Sequence, residues 1–141
     1  MVTHLRIRLL SLLVALSLPL SALAETGPDP ELRDALRTAA NEAPSFPDRF
    51  EAEVWLTDMS QRLARQVKDP QERIRILTLV HLEATRVKLP PELILAVIEV
   101  ESNFDRYAVS VAGAIGLMQI MPFWLDEIGR PDDNLLHIDT N

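Results

Sequence analysis

Four prolines, each beside an acidic residue, punctuate this chain where helices can begin: Pro30-Glu31, Pro47-Asp48, Asp69-Pro70 and Pro91-Glu92. Proline in a first turn sacrifices no helical hydrogen bond, and an acid there meets the positive end of the helix dipole. Between these points apolar residues recur at about 3.6-residue spacing, and no segment alternates with period two for long enough to make a strand. The pattern predicts an all-α chain.

The first helix is expected over 30–43, PELRDALRTAANEA. A second is expected over 48–67, with Phe50, Val54, Leu56, Met59, Leu63 and Val67 as its apolar stripe, and a third over 71–87, with Ile74, Ile76, Leu77, Leu79, Val80, Leu82 and Val87. Each reads as an amphipathic element that buries one side and solvates the other. Arg62, Arg65, Lys68, Arg73 and Arg75 alternate with acids and fit a solvated face. His81, between Val80 and Leu82, reads as a hydrogen-bonded or surface histidine.

Ahead of these helices, residues 1–24 carry Arg6 and Arg8, an apolar run from Leu9 to Leu20, and small residues at Ala22 and Ala24. That layout predicts a secretory signal cleaved after Ala24, since its apolar run is too short to span a membrane. ETGPD, residues 25–29, then reads as a linker. Loss of Arg6 and Arg8 takes the basic count from 14 to 12 against 21 acids, a net charge of −9. Such a chain is a poor binder of phosphate backbones, so no nucleic acid is expected as a partner. With no cysteine it has no disulfide, no thiol nucleophile and no site for an N-terminal lipid. His4, His81 and His137 lie far apart without zinc-ligand spacing, so neither metal nor cofactor is expected. The reading is an exported, periplasmic protein without stable membrane insertion after cleavage.

The fourth helix, from PPELILAVIEVES, is nearly all aliphatic between Leu93 and Val100, interrupted only by Glu99. Turned at about 100° per residue from Leu93 at zero, Val97 falls near 40°, Ile94 near 100°, Ile98 near 140° and Glu101 near 80°. On the same wheel Glu92 and Glu99 lie at about 260° and 240°, on the wet side. Glu101 is thus expected inside the apolar stripe, beside Val97, Ile98 and Phe104, where desolvation would favour its neutral form and suit it to general acid chemistry. The alternative is a helix already frayed at Val100, leaving Glu101 in water.

Beyond it, Ser110-Val111-Ala112-Gly113-Ala114-Ile115-Gly116 is a turn of small residues, and Leu117-Met118-Gln119-Ile120-Met121-Pro122 is apolar with a single amide. The glycines permit positive φ or close backbone approach, as a groove wall made of main chain requires. Gln119 suits an N-acetyl or hydroxyl group of a sugar, or else satisfies a nearby buried backbone group. Met118 and Met121 read by default as core filler.

The run E-S-x-F followed by S-V-A-G-A-I-G-L-M-Q-I-M-P resembles the catalytic motif of the soluble lytic transglycosylases, bacterial enzymes with a goose-lysozyme-like helical domain that cleave peptidoglycan. The resemblance covers roughly residues 88–141. It implies a partial catalytic domain there, the N-terminal part of a lysozyme-like helical fold, preceded over 30–87 by two to three amphipathic helices. It implies Glu101 as the single catalytic acid/base, Ser110, Gln119 and Met121 as groove positions holding the sugar, Met118 beside them, and Ser102 as the motif's second letter.

The implied partner is the peptidoglycan glycan strand, with other cell-envelope or secretion partners unidentified. Most glycosidases use two carboxylates; here the substrate's 2-acetamido group would stand in for the second. The expected product is a 1,6-anhydromuramic end. Asp105, Asp126 and Glu127 are nearby carboxylates, which keeps a lysozyme-like hydrolase as the alternative. Family members continue past the position matching Asn141, so the chain is expected to be either a fragment of a longer protein or a truncated product with its cleft open on one side, leaving Val97, Ile98, Leu117 and Ile120 uncovered. An inactive peptidoglycan-binding module is the reading from a different class.

Overall fold

The computed structural model describes residues 29–141; the expected signal and residues 25–28 of the linker lie outside the described residues. Five helices follow in order among the described residues: α1 Pro30–Glu42, α2 Arg49–Leu63, α3 Pro70–Arg86, α4 Pro91–Ser102 and α5 Phe123–Ile128. Among the described residues there is no strand, only two isolated antiparallel bridges, Val109 with Ile115 and Ile115 with Ile120. The described residues are all-α, as the proline punctuation predicts.

An aspartate starts each of the first three helices. Asp29 accepts from the Glu31 N–H at 3.2 Å, Asp48 from Glu51 at 2.9 Å and Asp69 from Gln71 at 2.9 Å. Each carboxylate satisfies a backbone donor that has no partner within its helix. α4 has no such cap and starts on the fixed φ of Pro90 and Pro91. α5 has no counterpart in the periodic pattern; it is a single short run stopped before Gly129, whose extended backbone leaves the helix.

α1 packs against α2 and α3, α2 against α3, and α3 against α4. Leu36, Ala40, Ala52, Leu56, Leu63, Ile74, Ile76, Leu77 and Val80 form the interior, joined by Leu95 and Ile98 of α4 and by Phe104 and Leu117 beyond it. The stripe of α2 differs from the expected one. Phe50 and Val54 are exposed, whereas Ala52, Leu56, Ser60 and Leu63 are buried. The interior takes the side of α2 whose small residues let neighbouring helices approach, a preference that a count of large apolar residues does not see.

α2 also stops at Leu63 and not at the predicted Val67, and Arg73 belongs to the reason. Its guanidinium donates to the Val67 carbonyl at 2.7 Å and the Lys68 carbonyl at 3.1 Å, and its Nε to Ser60 Oγ at 3.2 Å. It is buried, which corrects its placement on a solvated face. Carbonyls turned inward between two helices need donors, and a buried arginine provides them while its own charge is hydrogen-bonded.

Ile98 and Leu117 are 2% and 3% exposed, and Val97 and Ile120 are half-buried, so the expected uncovered surface is smaller than the sequence implied. α3 accounts for this: Ile76, Leu79 and Val80 share a cavity of about 310 Å³ with Ile94, Ile98, Leu117 and Met118.

At the start of α4 an aromatic clasp joins four segments. Phe46 stacks on His81 with ring centroids 3.5 Å apart, Trp55 meets the same imidazole edge-on at 5.1 Å, and Ser45 Oγ lies 2.8 Å from His81 Nδ1. Trp55 Nε1 donates to Glu92 Oε1 at 3.0 Å. His81 is therefore the hydrogen-bonded histidine expected. Burial holds its pKa below the usual histidine value, against the opposing pull of Glu92. The Glu92 carboxyl is lowered, first by the bond from Trp55.

Candidate active site

α4 ends on Ser102, whose hydroxyl donates back to the Ile98 carbonyl at 3.2 Å. Asn103 follows in the left-handed region, φ +50°, and its N–H reaches the Glu99 carbonyl at 3.0 Å. Asparagine tolerates this helix-ending conformation better than most residues. Phe104 is also left-handed, at φ +64°, and is buried in the interior. A bulky residue avoids that region unless packing compensates, so the buried ring fixes the path by which the chain leaves the helix.

Glu101, one residue before the end, is exposed. This corrects the wheel-based expectation of a carboxyl already enclosed by apolar groups. The helix does not fray there; the buried face is rotated away, set by Leu95 and Ile98 with Ile94 and Val97 half-buried. Leu93 and Val100 are 50% and 84% exposed. Glu101 therefore lies on the side of the helix that carries the exposed Leu93 and Val100 and the half-buried Val97, with Glu92 and Glu99 elsewhere on the helix.

After Phe104 the chain turns on hydrogen bonds more than on burial. Asp105 accepts from the Tyr107 N–H at 2.9 Å, and the Arg106 guanidinium lies 4.6 Å from the centre of the Tyr107 ring. Ser110 Oγ accepts from the Ala114 N–H at 3.0 Å, and its own N–H donates to the Ala114 carbonyl at 2.9 Å. Gly113 takes φ +87° within this turn. Ile115 and Ile120 exchange backbone bonds at 2.9 and 3.0 Å, closing the loop that contains Gly116 to Gln119.

Gln119 stands at φ +51°, and its Nε2 donates to the carbonyls of Ala108 at 3.2 Å and Gly116 at 3.0 Å. Of the two roles open from the sequence, backbone satisfaction is the one seen for its donors. Its Oε1 is the atom left to accept from a ligand. Met118 is half-buried against the interior, and Met121 is half-buried with its carbonyl taking the Trp124 N–H.

Ser110, Met118 and Gln119 are thus brought together in one bridged loop. Ser102 serves the helix end. Sequence reasoning missed the residue that ties this loop to the end of the chain, Asn141, because its partners lie 23 and 26 positions away.

Residues 79–140 match the transglycosylase SLT domain. Over these residues the chain is similar to the SLT family. The match opens inside α3, so the helix that covers α4 is partly within the SLT segment. Membrane-bound lytic murein transglycosylase C of Actinobacillus pleuropneumoniae serotype 5b (strain L20) is 56% identical over 46 residues, 33% of this chain and 13% of the relative. The protein of the same name from Haemophilus ducreyi is 40% identical over 75 residues, 48% of this chain and 20% of the relative. In Haemophilus influenzae (strain PittEE) a further one is 44% identical over 48 residues, 34% of this chain and 13% of the relative. The chain therefore spans a fifth or less of these relatives. No solved structure matches. Among the described residues no helix is long and apolar enough to cross a membrane.

Proposed function

We propose that this chain carries the acid/base residue of a lytic transglycosylase acting on peptidoglycan, with residues 88–141 as the catalytic segment and 30–87 as its helical support. The observation that carries the reading is Glu101: an accessible carboxyl one residue from the end of α4, beside a partly exposed aliphatic flank and followed by the loop within the SLT match. In the free chain that carboxyl stands in water. A glycan laid over Leu93, Val97 and Val100 would exclude that water and favour the protonated form when the substrate is in place.

Glu101 then gives its proton to the glycosidic oxygen between N-acetylmuramic acid and N-acetylglucosamine as the bond to the anomeric carbon breaks. The 2-acetamido oxygen stabilises the developing positive charge, the part played by a second carboxylate in most glycosidases. Glu101, now ionised, takes the proton of the muramic 6-hydroxyl, whose oxygen closes on the anomeric carbon to give the 1,6-anhydro end. Ser110, Gln119 Oε1, Met118 and Met121 form the sugar-facing wall, and Ser102 finishes the helix that aims Glu101. The arginine-bearing, apolar leader at 1–24 supports action after export, in the periplasm.

The deciding experiment incubates the protein with purified peptidoglycan beside Glu101→Gln and identifies the released ends by mass. Anhydromuramic ends that depend on Glu101 are expected. Reducing ends would assign a lysozyme-like hydrolase, and an unchanged Glu101→Gln variant would remove Glu101 from the mechanism.

A further inference from the structure

We propose that Asn141 is a positioning residue for the turn Gly116 to Gln119, fixing the main chain that presents Met118 and Gln119 to a bound glycan; this role rests on the transglycosylase reading of the site. The Asn141 amide uses both edges. Nδ2 donates to the Ile115 carbonyl at 2.8 Å and the Leu135 carbonyl at 3.0 Å, while Oδ1 accepts from the Met118 N–H. Two donors and an acceptor on one short, planar group are what a side-chain amide offers and a carboxylate or hydroxyl does not.

The turn it grips needs an external tie. Gly116 is left-handed at φ +80° and Gln119, without a glycine's freedom, at φ +51°. Such a non-glycine conformation persists only where its surroundings over-determine it. Leu117 and Leu135 are buried on either side and anchor the two segments, but apolar burial is non-directional. The amide sets the orientation. Gly116 is shaped to admit it: a Cβ there would overlap Asn141 Nδ2 and the Leu135 carbonyl oxygen. Glycine at 116 and asparagine at 141 are therefore two sides of one contact.

The test measures binding of a soluble N-acetylglucosamine tetramer, cleavage of peptidoglycan, and amide exchange of Met118, for the wild type, Asn141→Ala, Asn141→Asp, Gly116→Ala and the double variant. Asn141→Ala is expected to weaken glycan binding and kcat/KM about tenfold, the size of one lost set of hydrogen bonds at a buried contact. Gly116→Ala should show the same defect, and the double variant should be no worse than the poorer single one.

Asn141→Asp gives a signature that a general loss of stability would not. At neutral pH its carboxylate keeps the acceptor for Met118 but sets a second negative oxygen against two carbonyls. Protonation restores one donor. The ratio of Asn141→Asp to wild type should therefore rise as pH falls from about 7 to about 5, while the ratio for Asn141→Ala stays flat. Glu83, Arg86, Arg130, Asp133, His137 and Asp139 line the same two cavities as Asn141 and are present in both proteins, so the ratio removes their contribution.

Wild-type binding and kcat/KM in Asn141→Ala, or ratios for Asn141→Asp and Asn141→Ala that follow the same pH course, would overturn the inference. Should Asn141→Ala not fold, the Asn141→Asp pH course against wild type decides the same question. A wild type that neither binds nor cleaves glycan would remove the site reading and this role with it, whereas Met118 amide exchange separately shows whether the tie exists.

Discussion

The two halves of the described chain are held together by different forces. From α1 to α4 cohesion comes from burial, with Leu36, Leu56, Ile76, Leu77 and Ile98 almost fully enclosed. From residue 103 onward it comes largely from directional bonds, in which Asp105, Ser110, Gln119, Asn134 and Asn141 each hold backbone by a side chain. Burial tolerates small shifts and sets overall stability; hydrogen-bonded loops fix the orientation of a few groups and lose it when one donor goes. The candidate site lies where the two meet. The proposed acid, Glu101, stands on the last turn of the burial-held half, and the proposed wall is the bond-held loop. The same helix makes the contrast in miniature: Glu92 at its start is held by Trp55, while Glu101 near its end is exposed.

The sharpest way to break this contrast is to neutralise each glutamate. Glu101→Gln is expected to reduce release of muropeptides by about 10²–10⁴-fold, the range for loss of a general acid, with the thermal midpoint unchanged. Glu92→Gln should leave release near the wild-type rate. Equal losses from both would mean that position on α4 does not distinguish them. Next in size is Leu77→Ala in α3, expected to lower unfolding free energy by about 2–5 kcal/mol in denaturant titration through the cavity it leaves. Because α3 covers α4, the loop signals should melt together with the helices; separate transitions would show two independent units.

Smaller is Trp55→Phe, which keeps an aromatic ring but removes the bond to Glu92. A loss of about 0.5–1.5 kcal/mol is expected, without effect on cleavage. The gentlest probe is pH. Burial depresses His81 in the folded state, so the unfolded chain takes up a proton first as pH falls below 6.5. Stability contributed by neutral His81 is full above 6.5 and is lost as pH falls from there toward its folded value. Glu92 and Asp139, lowered by bonds from Trp55 and Arg75, add a second loss only below 4.5 and 3.8. His81→Phe should erase the first decline; a wild-type profile in that variant would assign the decline to another group.

Much of the helical half was legible in the sequence because proline, aspartate caps and a 3.6-residue period act locally. Asp48 and Asp69 start helices through atoms two or three residues away. The SLT loop was legible because its identity is packed into a short run, from Ser110 to Pro122. Which side of α2 is buried, and the burial of Arg73, were not, since both depend on what another helix presents. Glu101 was legible as a residue but not in its surroundings. The wheel gave its angle correctly, yet the centre of the buried face lies near Ile98 and Leu95, where α3 packs, and an angle alone does not say where a neighbour sits.

By itself, the sequence determined helical character for the described residues, the residues that start those helices, and the resemblance of the segment that carries Glu101 to the SLT domain, because each depends on contacts within one turn or one short motif. Only the tertiary structure decided that the carboxyl stands in the open beside an aliphatic flank, that Gln119 spends its donors on backbone, and that Asn141 grips Met118 from 23 residues away. Those outcomes are set by packing and by hydrogen bonds between distant segments, whose partners no local pattern names.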